Sequence, residues 1–135
     1  MKVFPVAPPD LWMWWRDVRP FIEEAQETSA YYTPDDVYEA ILNGRSVLWL
    51  VWDRDIKAVC VTTIVSASKS KACSIWIMDG KGLSEWLDPV LETIHAYGKS
   101  MGCTMFRHEA RPGYERLLKK YGYQKSHIIL EKALP

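Results

Sequence analysis

The sequence predicts an α+β domain built on a mixed sheet. The apolar period is helical as far as Ile41 and becomes strand-like from Ser46. Three β-rich runs then succeed one another with only short polar turns between them, which marks an antiparallel meander. After the meander, strand and helix alternate, so at least one pair of strands should be parallel. The predicted order is ααβββαβαβ, in one domain over residues 1–135.

The first helix is read from Leu11, Trp14, Trp15, Val18, Phe21, Ile22 and Ala25, spaced by threes and fours. Asp10 is its expected N-cap. Pro20 has no N–H to donate and is expected to kink or split it. A second helix opens on Thr33-Pro34-Asp35-Asp36, a capping hydroxyl, a proline at the first turn and two acids at the positive helix end. It buries Val37, Ala40 and Ile41 until Asn43-Gly44 stops it. Strands are predicted over Ser46–Asp53, Ile56–Ser68 and Ala72–Met78, with turns at Arg54-Asp55 and Lys69-Ser70-Lys71. Asp79-Gly80-Lys81-Gly82 is expected to break the sheet. A long helix follows over Ser84–Met101, with Trp86, Leu87, Val90, Leu91, Ile94 and Tyr97 on one side, an early and tolerated Pro89, and Gly102 at its end. Cys103–Glu109 reads as a strand, Pro112–Tyr121 as a short helix closed by Gly122, and Gln124–Glu131 as the last strand. The path from the third strand through the long helix to the fourth should be a right-handed crossover between parallel strands.

Composition narrows the function classes. A chain of 135 residues without repeats or a linker rich in Pro, Gly and Ser fits one domain. Lys+Arg and Asp+Glu both count 17, so no basic field recruits nucleic acid or an anionic membrane. No window approaches the ~20 apolar residues that span a bilayer, and the first ten residues hold no signal-peptide stretch. Cys60, Cys73 and Cys103 are odd in number and lack a Cys-x-x-Cys pair, so they read as reduced, buried thiols of a cytosolic protein. His95 and His127 have no partners at ligand spacing, and no metal site is expected. Seven tryptophans are the unusual feature. Trp49 is expected in the core and Trp52 on the opposite face of the sheet. Trp12, Trp14 and Trp15 cannot all face an apolar stripe about 100° wide, so Trp12 is expected near the surface, where exposed tryptophans anchor interfaces.

The element order resembles the Gcn5-related N-acetyltransferase (GNAT) fold over residues about 8–134. Three stretches carry the likeness: the long strand ending near Met78 with its loop and the amphipathic helix closing on Gly102-Cys103; the strand Thr104–Glu109; and the short helix ending in Tyr121-Gly122-Tyr123, where the family commonly has Gly-Phe. More narrowly, the chain resembles small acetyltransferase-like proteins of tailed phages and prophages, some of them internal virion proteins. That likeness lies in Trp15, Val18 and Pro20, in Tyr32–Asp36 leading to Asn43-Gly44-Arg45 and Leu48-Trp49, and in Arg111-x-Gly113-Tyr114-x-Arg116-Leu117 before Gly122. It implies a place in the cytoplasm of the bacterial host or in the virion. The partners it implies are other phage or host proteins or a second copy, with no nucleic acid.

Acetyl transfer on this fold needs a grip on the pyrophosphate of acetyl-CoA and a route for protons. The family's phosphate loop reads Arg/Gln-x-x-Gly-x-Gly/Ala, and its glycines bring backbone N–H groups onto the phosphates at a helix N-terminus. Counted back from Gly102, the matching residues are Gly82, Leu83, Ser84, Glu85, Trp86 and Leu87. The arginine is absent and the last two glycine positions are Glu85 and Leu87. Glu85 suits the helix dipole but repels a diphosphate, and Trp86 or Leu87 is expected to crowd the cleft mouth. Gly80-Lys81-Gly82 reads either as a shifted phosphate loop or as a plain turn. If acetyl-CoA binds, the resemblance and this loop make Ile77, Met78, Asp79, Lys81, Gly82 and Ser84 the candidate contacts.

The family's leaving-group acid is a tyrosine four residues before the glycine that closes the final helix, a position held here by Leu118. Tyr114, one turn earlier, is the candidate substitute. His108 and Glu109, at the end of the fourth strand, are candidates for a base in the cleft. Trp12, Trp15, Arg111 and Tyr114 are candidate contact residues for a protein partner. Both departures fall on the chemical machinery. The expected function is therefore a GNAT fold used without acetyl transfer and without a cofactor, as a virion-associated or protein-interaction component. The alternative is an acetyl-CoA-dependent N-acetyltransferase acting on a small amine or a host protein.

Overall fold

The computed structural model describes residues 1–27 and 29–135. Its strands are β1 (Lys2–Pro5), β2 (Ser46–Trp52), β3 (Ile56–Ser66), β4 (Lys71–Gly80) and β5 (Met105–His108), joined in that order into one sheet. The first four run antiparallel, whereas β4 and β5 are parallel, as a helical crossover requires. Helices α1 (Leu11–Gln26) and α2 (Pro34–Leu42) cover one face; α3 (Leu83–Ser100) and α4 (Pro112–Leu118) cover the other.

Strand alternation divides the core between the two faces. Leu48, Leu50, Val59 and Val61 meet Val18, Ile22, Val37 and Ile41 of α1 and α2. Trp49, Val51, Cys60 and Cys73 meet Trp86, Val90, Leu91 and Ile94 of α3. Trp49 packs edge-on against Tyr97 of α3, and its indole N–H donates to Thr62 Oγ1 at 2.9 Å, so burial leaves no donor unpaired. Trp52 turns to the other face, edge-on against Trp14. Trp12 is 70% exposed.

Local chemistry explains the elements. Thr33 and Asp36 form a reciprocal capping box at α2, with Thr33 N–H donating to Asp36 Oδ2 at 2.8 Å. Asp10 makes no side-chain cap, because a single 3-10 turn over Pro8–Asp10 already carries it into helical backbone. Nor does Pro20 split α1, which runs unbroken through it. Both Pro20 and Arg16, whose carbonyl loses the bond, lie on the exposed side. Arg54 takes the left-handed conformation (φ 71°) that its two-strand turn requires.

Three elements differ from expectation. β1 has too few residues, and a proline at its end, to signal a strand by itself, yet it pairs with β2 from Lys2↔Trp52 to Pro5↔Trp49. Asp79 and Gly80 do not break the sheet but complete β4 opposite Val59 and Ala58. A Cβ at Gly80 would lie 2.4 Å from the Cβ of Ala58, so glycine serves a close strand approach there. Gln124–Glu131 forms no strand, because Gly122 (φ 87°) turns the chain and Tyr123 is tied to α3 by a 2.8 Å bond between its hydroxyl and His95 Nε2.

Candidate functional site

The site begins with a bulge. β3 and β4 hold register to Val61↔Ile77 and resume at Thr62↔Ile75, leaving Trp76 unpaired. Facing parity therefore flips: Ile75 points to the α3 side and Ile77 to the α1–α2 side. The parallel ladder with β5 stops at the same level, at Ile75↔His108. Beyond it the two strands part around a cavity of about 270 Å³. Its walls are Trp76, Ile77 and Met78 from β4, His108 to Arg111 and Tyr114 from the β5–α4 segment, and Gln26 and Tyr32 from the α1 side.

Ionisable groups in and beside it are displaced from their ordinary values. The Asp79 carboxyl is pushed up to about 6, first by burial and then by the charge of Glu24 and a hydrogen bond to it, while Arg111 pulls the other way. Burial lowers His108 to about 4, so its ring is neutral at pH 7, and its buried Nδ1 has no partner. Tyr114 is raised by burial and then by Asp79; its hydroxyl faces the Met78 carbonyl at 3.4 Å and its ring meets His108 edge-on at 5.1 Å. Arg111 crosses to α1, donating to the Glu24 carbonyl at 3.3 Å. Glu109 lies at the rim, 3.4 Å from Arg107. The cavity thus offers a neutral imidazole and a phenol against aromatic walls, and the Asp79 carboxyl, which can hold a proton near neutrality, acts on Tyr114 from outside the lining.

The head of α3, where a coenzyme's diphosphate would lie, is built differently. β4 ends at Gly80 and α3 starts at Leu83, so Lys81 and Gly82 are the whole connection. Both of its carbonyls are engaged: Lys81 O accepts the Trp86 indole N–H at 2.8 Å and Gly82 O accepts the Glu85 N–H at 2.8 Å. The Glu85 carboxylate folds back to within 3.7 Å of the position a Cβ would take at Gly82. Lys57, a neighbouring cation, is held by Asp55 at 3.0 Å, and Lys81 in the connection itself is exposed. Trp86 and Leu87 do not crowd the cleft mouth; the period of α3 turns them inward and they are buried beneath it. A diphosphate at this helix head would meet the Glu85 carboxylate as a like charge.

Of the residues singled out from sequence, Ile77, Met78, His108, Glu109, Arg111 and Tyr114 line one cavity and Asp79 borders it. Lys81, Gly82 and Ser84 stand apart at the head of α3. Trp12 and Trp15 lie near the start of α1, 12 and 9 residues from Glu24, to which Arg111 bonds, or about 18 and about 14 Å of helix. Trp15 is half-buried, edge-on to Tyr38. Glu24, Gln26, Tyr32 and Trp76 were missed. Trp76 carried a signal in its place on the strand before Met78; Glu24 and Gln26 carried none, since only the packing of α1 on β4 brings them in.

No family model matches the sequence, and no curated protein matches it. Solved structures do. A probable acetyltransferase aligns over 100% of this chain and 97% of its own at 10% identity, with a TM-score of 0.74. A predicted acetyltransferase with acetyl-CoA from Clostridium acetobutylicum aligns over 98% and 95% at 13% identity, TM-score 0.73. Glucosamine-6-phosphate N-acetyltransferase from Arabidopsis thaliana aligns over 99% and 98% at 19% identity, TM-score 0.68. The fold is therefore that of the Gcn5-related N-acetyltransferases. At these identities the likeness shows the fold alone.

Proposed function

We propose that this chain uses the GNAT fold for binding rather than for acetyl transfer, as a protein-interaction component. In this reading its partners are proteins of the virion or of the host, for which the support is the sequence resemblance to phage and prophage proteins. The observation that carries this reading is the two-residue connection between β4 and α3, with the Glu85 carboxylate lying over it. A diphosphate is held by backbone N–H groups and positive charge at the head of a helix, and here the Glu85 carboxylate brings a like charge to that place. Isothermal titration with acetyl-CoA tests it. The expected result is no binding tighter than about 0.1 mM, or roughly 5.5 kcal/mol. Tighter binding overturns the reading.

The cavity favours one alternative, an acetyl-CoA-dependent N-acetyltransferase acting on a small amine or a host protein. In that reading Tyr114, beside the Met78 carbonyl, is the proton donor, and Asp79 or His108 manages the amine's proton. Acetyl transfer to a primary amine that is lost in Tyr114→Phe would establish it.

A further inference from the structure

We infer that the α1–α2 face of the sheet carries a second binding site, an aromatic corner that takes a quaternary ammonium group. The site has a floor and a wall. The floor is one residue from each of four strands, Ser46, Thr63, Ser74 and Arg107, set in one row by the strand register. Ile75 faces α3, so alternation puts Ser74 and its row on the α1–α2 side. Elsewhere that face carries Leu48, Leu50, Val59 and Val61. Here three of the four side chains are small hydroxyls, and Ser46 and Thr63 bond each other at 2.8 Å. Their small size leaves a cavity of about 530 Å³. It shares Tyr32, Trp76 and Glu109 with the cleft but lies on the other side of the Trp76 bulge, where β4 and β5 are still paired through Ser74↔Arg107.

The wall is Tyr31 and Tyr32, just before α2, and Trp76. The tyrosine rings lie 6.4 Å apart at 59°, and Tyr32 and Trp76 lie 5.3 Å apart at 78°. Such steep angles make a corner rather than a stack. At these spacings one cation can sit within about 6 Å of all three ring centres, the range over which a ring face attracts it. Both tyrosines stay in water, at 69% and 52% exposure. The charges suit the same class of ligand. Asp36, Glu39 and Glu109 stand against Arg45 and Arg107, an excess of one acid. Arg107 is matched by Glu109 at 3.4 Å, Arg45 Nε donates to Asn43 Oδ1 at 3.0 Å, and Asp36 serves the α2 cap. Among the described residues Glu39 has no ion pair. A primary ammonium has three N–H bonds to donate, and the lining has few acceptors left for them. A trimethylammonium donates none and needs only ring faces and a nearby negative charge. Its nitrogen has no N–H to exchange for an acetyl group, so it is held and not acylated. The inference goes beyond the binding-only reading and its test uses no coenzyme, so the two fail separately.

Titration of the full chain, followed by NMR on the Trp76 indole N–H (assigned by its loss in Trp76→Phe), tests it. The probes are choline, its uncharged carbon isostere 3,3-dimethylbutanol, and a blocked tripeptide with a central trimethyl-lysine beside its unmethylated form. Choline or the trimethylated tripeptide should saturate the site with a Kd below about 1 mM. The uncharged isostere and the unmethylated tripeptide should each bind roughly tenfold more weakly than their counterparts. Tighter binding of choline assigns the site to a free ligand, and tighter binding of the tripeptide to a modified protein; either supports the inference. Tyr32→Ala, at an exposed position outside the folded core, should weaken binding roughly tenfold, whereas Tyr32→Phe keeps the ring face and should retain it. The inference is overturned if neither cation saturates the site, if the isostere or the unmethylated tripeptide binds equally well, or if Tyr32→Ala leaves the affinity unchanged.

Discussion

At the scale of single residues, the cleft holds two groups whose burial bends the stability curve in opposite directions. Asp79 has a folded value of about 6 against an ordinary 3.8, so the folded state holds the proton more tightly than the unfolded state does. Its destabilising effect is absent below the unfolded value, grows as pH rises between the two, and is complete above about 6. His108 has a folded value of about 4 against 6.5, so the unfolded state takes the proton first as pH falls. Its effect is absent above 6.5 and complete near 4. The His108 displacement corresponds to up to about 3 kcal/mol, that of the partly solvated Asp79 to less, and the two oppose each other across the interval. Asp79→Asn should therefore raise the melting temperature at pH 7 and not at pH 4, while His108→Phe should raise it at pH 4 relative to pH 7. Thermal unfolding of both variants across that range checks the pair. Parallel shifts at every pH would show that neither group titrates as the buried geometry requires.

At the scale of elements, two glycines set how closely neighbours approach. A Cβ at Gly98 would fall 2.3 Å from Phe106 Cε1 and 3.2 Å from Cys73 Cβ, so α3 rests directly on the edge of the sheet there. A Cβ at Gly80 would meet the backbone oxygen of Lys57 at 2.6 Å as well as Ala58. A half-buried ring can swing aside, whereas a strand backbone cannot move without losing ladder bonds. Gly98→Ala should cost about 1–3 kcal/mol, and Gly80→Ala more than Gly98→Ala, in chemical denaturation. The reverse order would mean that β3 and β4 are not held at this spacing. The same contrast explains what could be read from the sequence. α2 was legible because every signal for it is local: the Thr33 cap, Pro34, the acids and Gly44. β1 and the end of β4 were not, because four residues ending in proline, and a glycine after an aspartate, become strand only through the partners β2 and β3 supply. Gln124–Glu131 has the composition of a strand, and whether it forms one depends on an edge that local sequence does not describe.

At the scale of the whole molecule, the candidate site was half legible. His108, Glu109, Arg111, Tyr114 and Met78 could be named because the order of elements brings the ends of β4 and β5 together. Glu24 and Gln26 enter from the other face of the sheet, and nothing in their own neighbourhood announces it. At the head of α3 the sequence pointed both to Glu85, whose carboxylate does lie beside Gly82, and to Trp86 and Leu87, which are core instead. Charge and geometry make separable demands on a coenzyme. Glu85→Gln removes a repulsion worth about 1 kcal/mol in a solvent-exposed setting but frees no further backbone N–H. Acetyl-CoA should therefore still fail to bind Glu85→Gln more tightly than about 0.1 mM. Three glycines inserted between Lys81 and Gly82 in the Glu85→Gln background would lengthen the connection and add amides at the helix head, and that variant should gain measurable heat of binding. Were Glu85→Gln to bind the coenzyme by itself, the short connection would not be the obstacle, and the case for a fold used without acetyl transfer would rest on one charge.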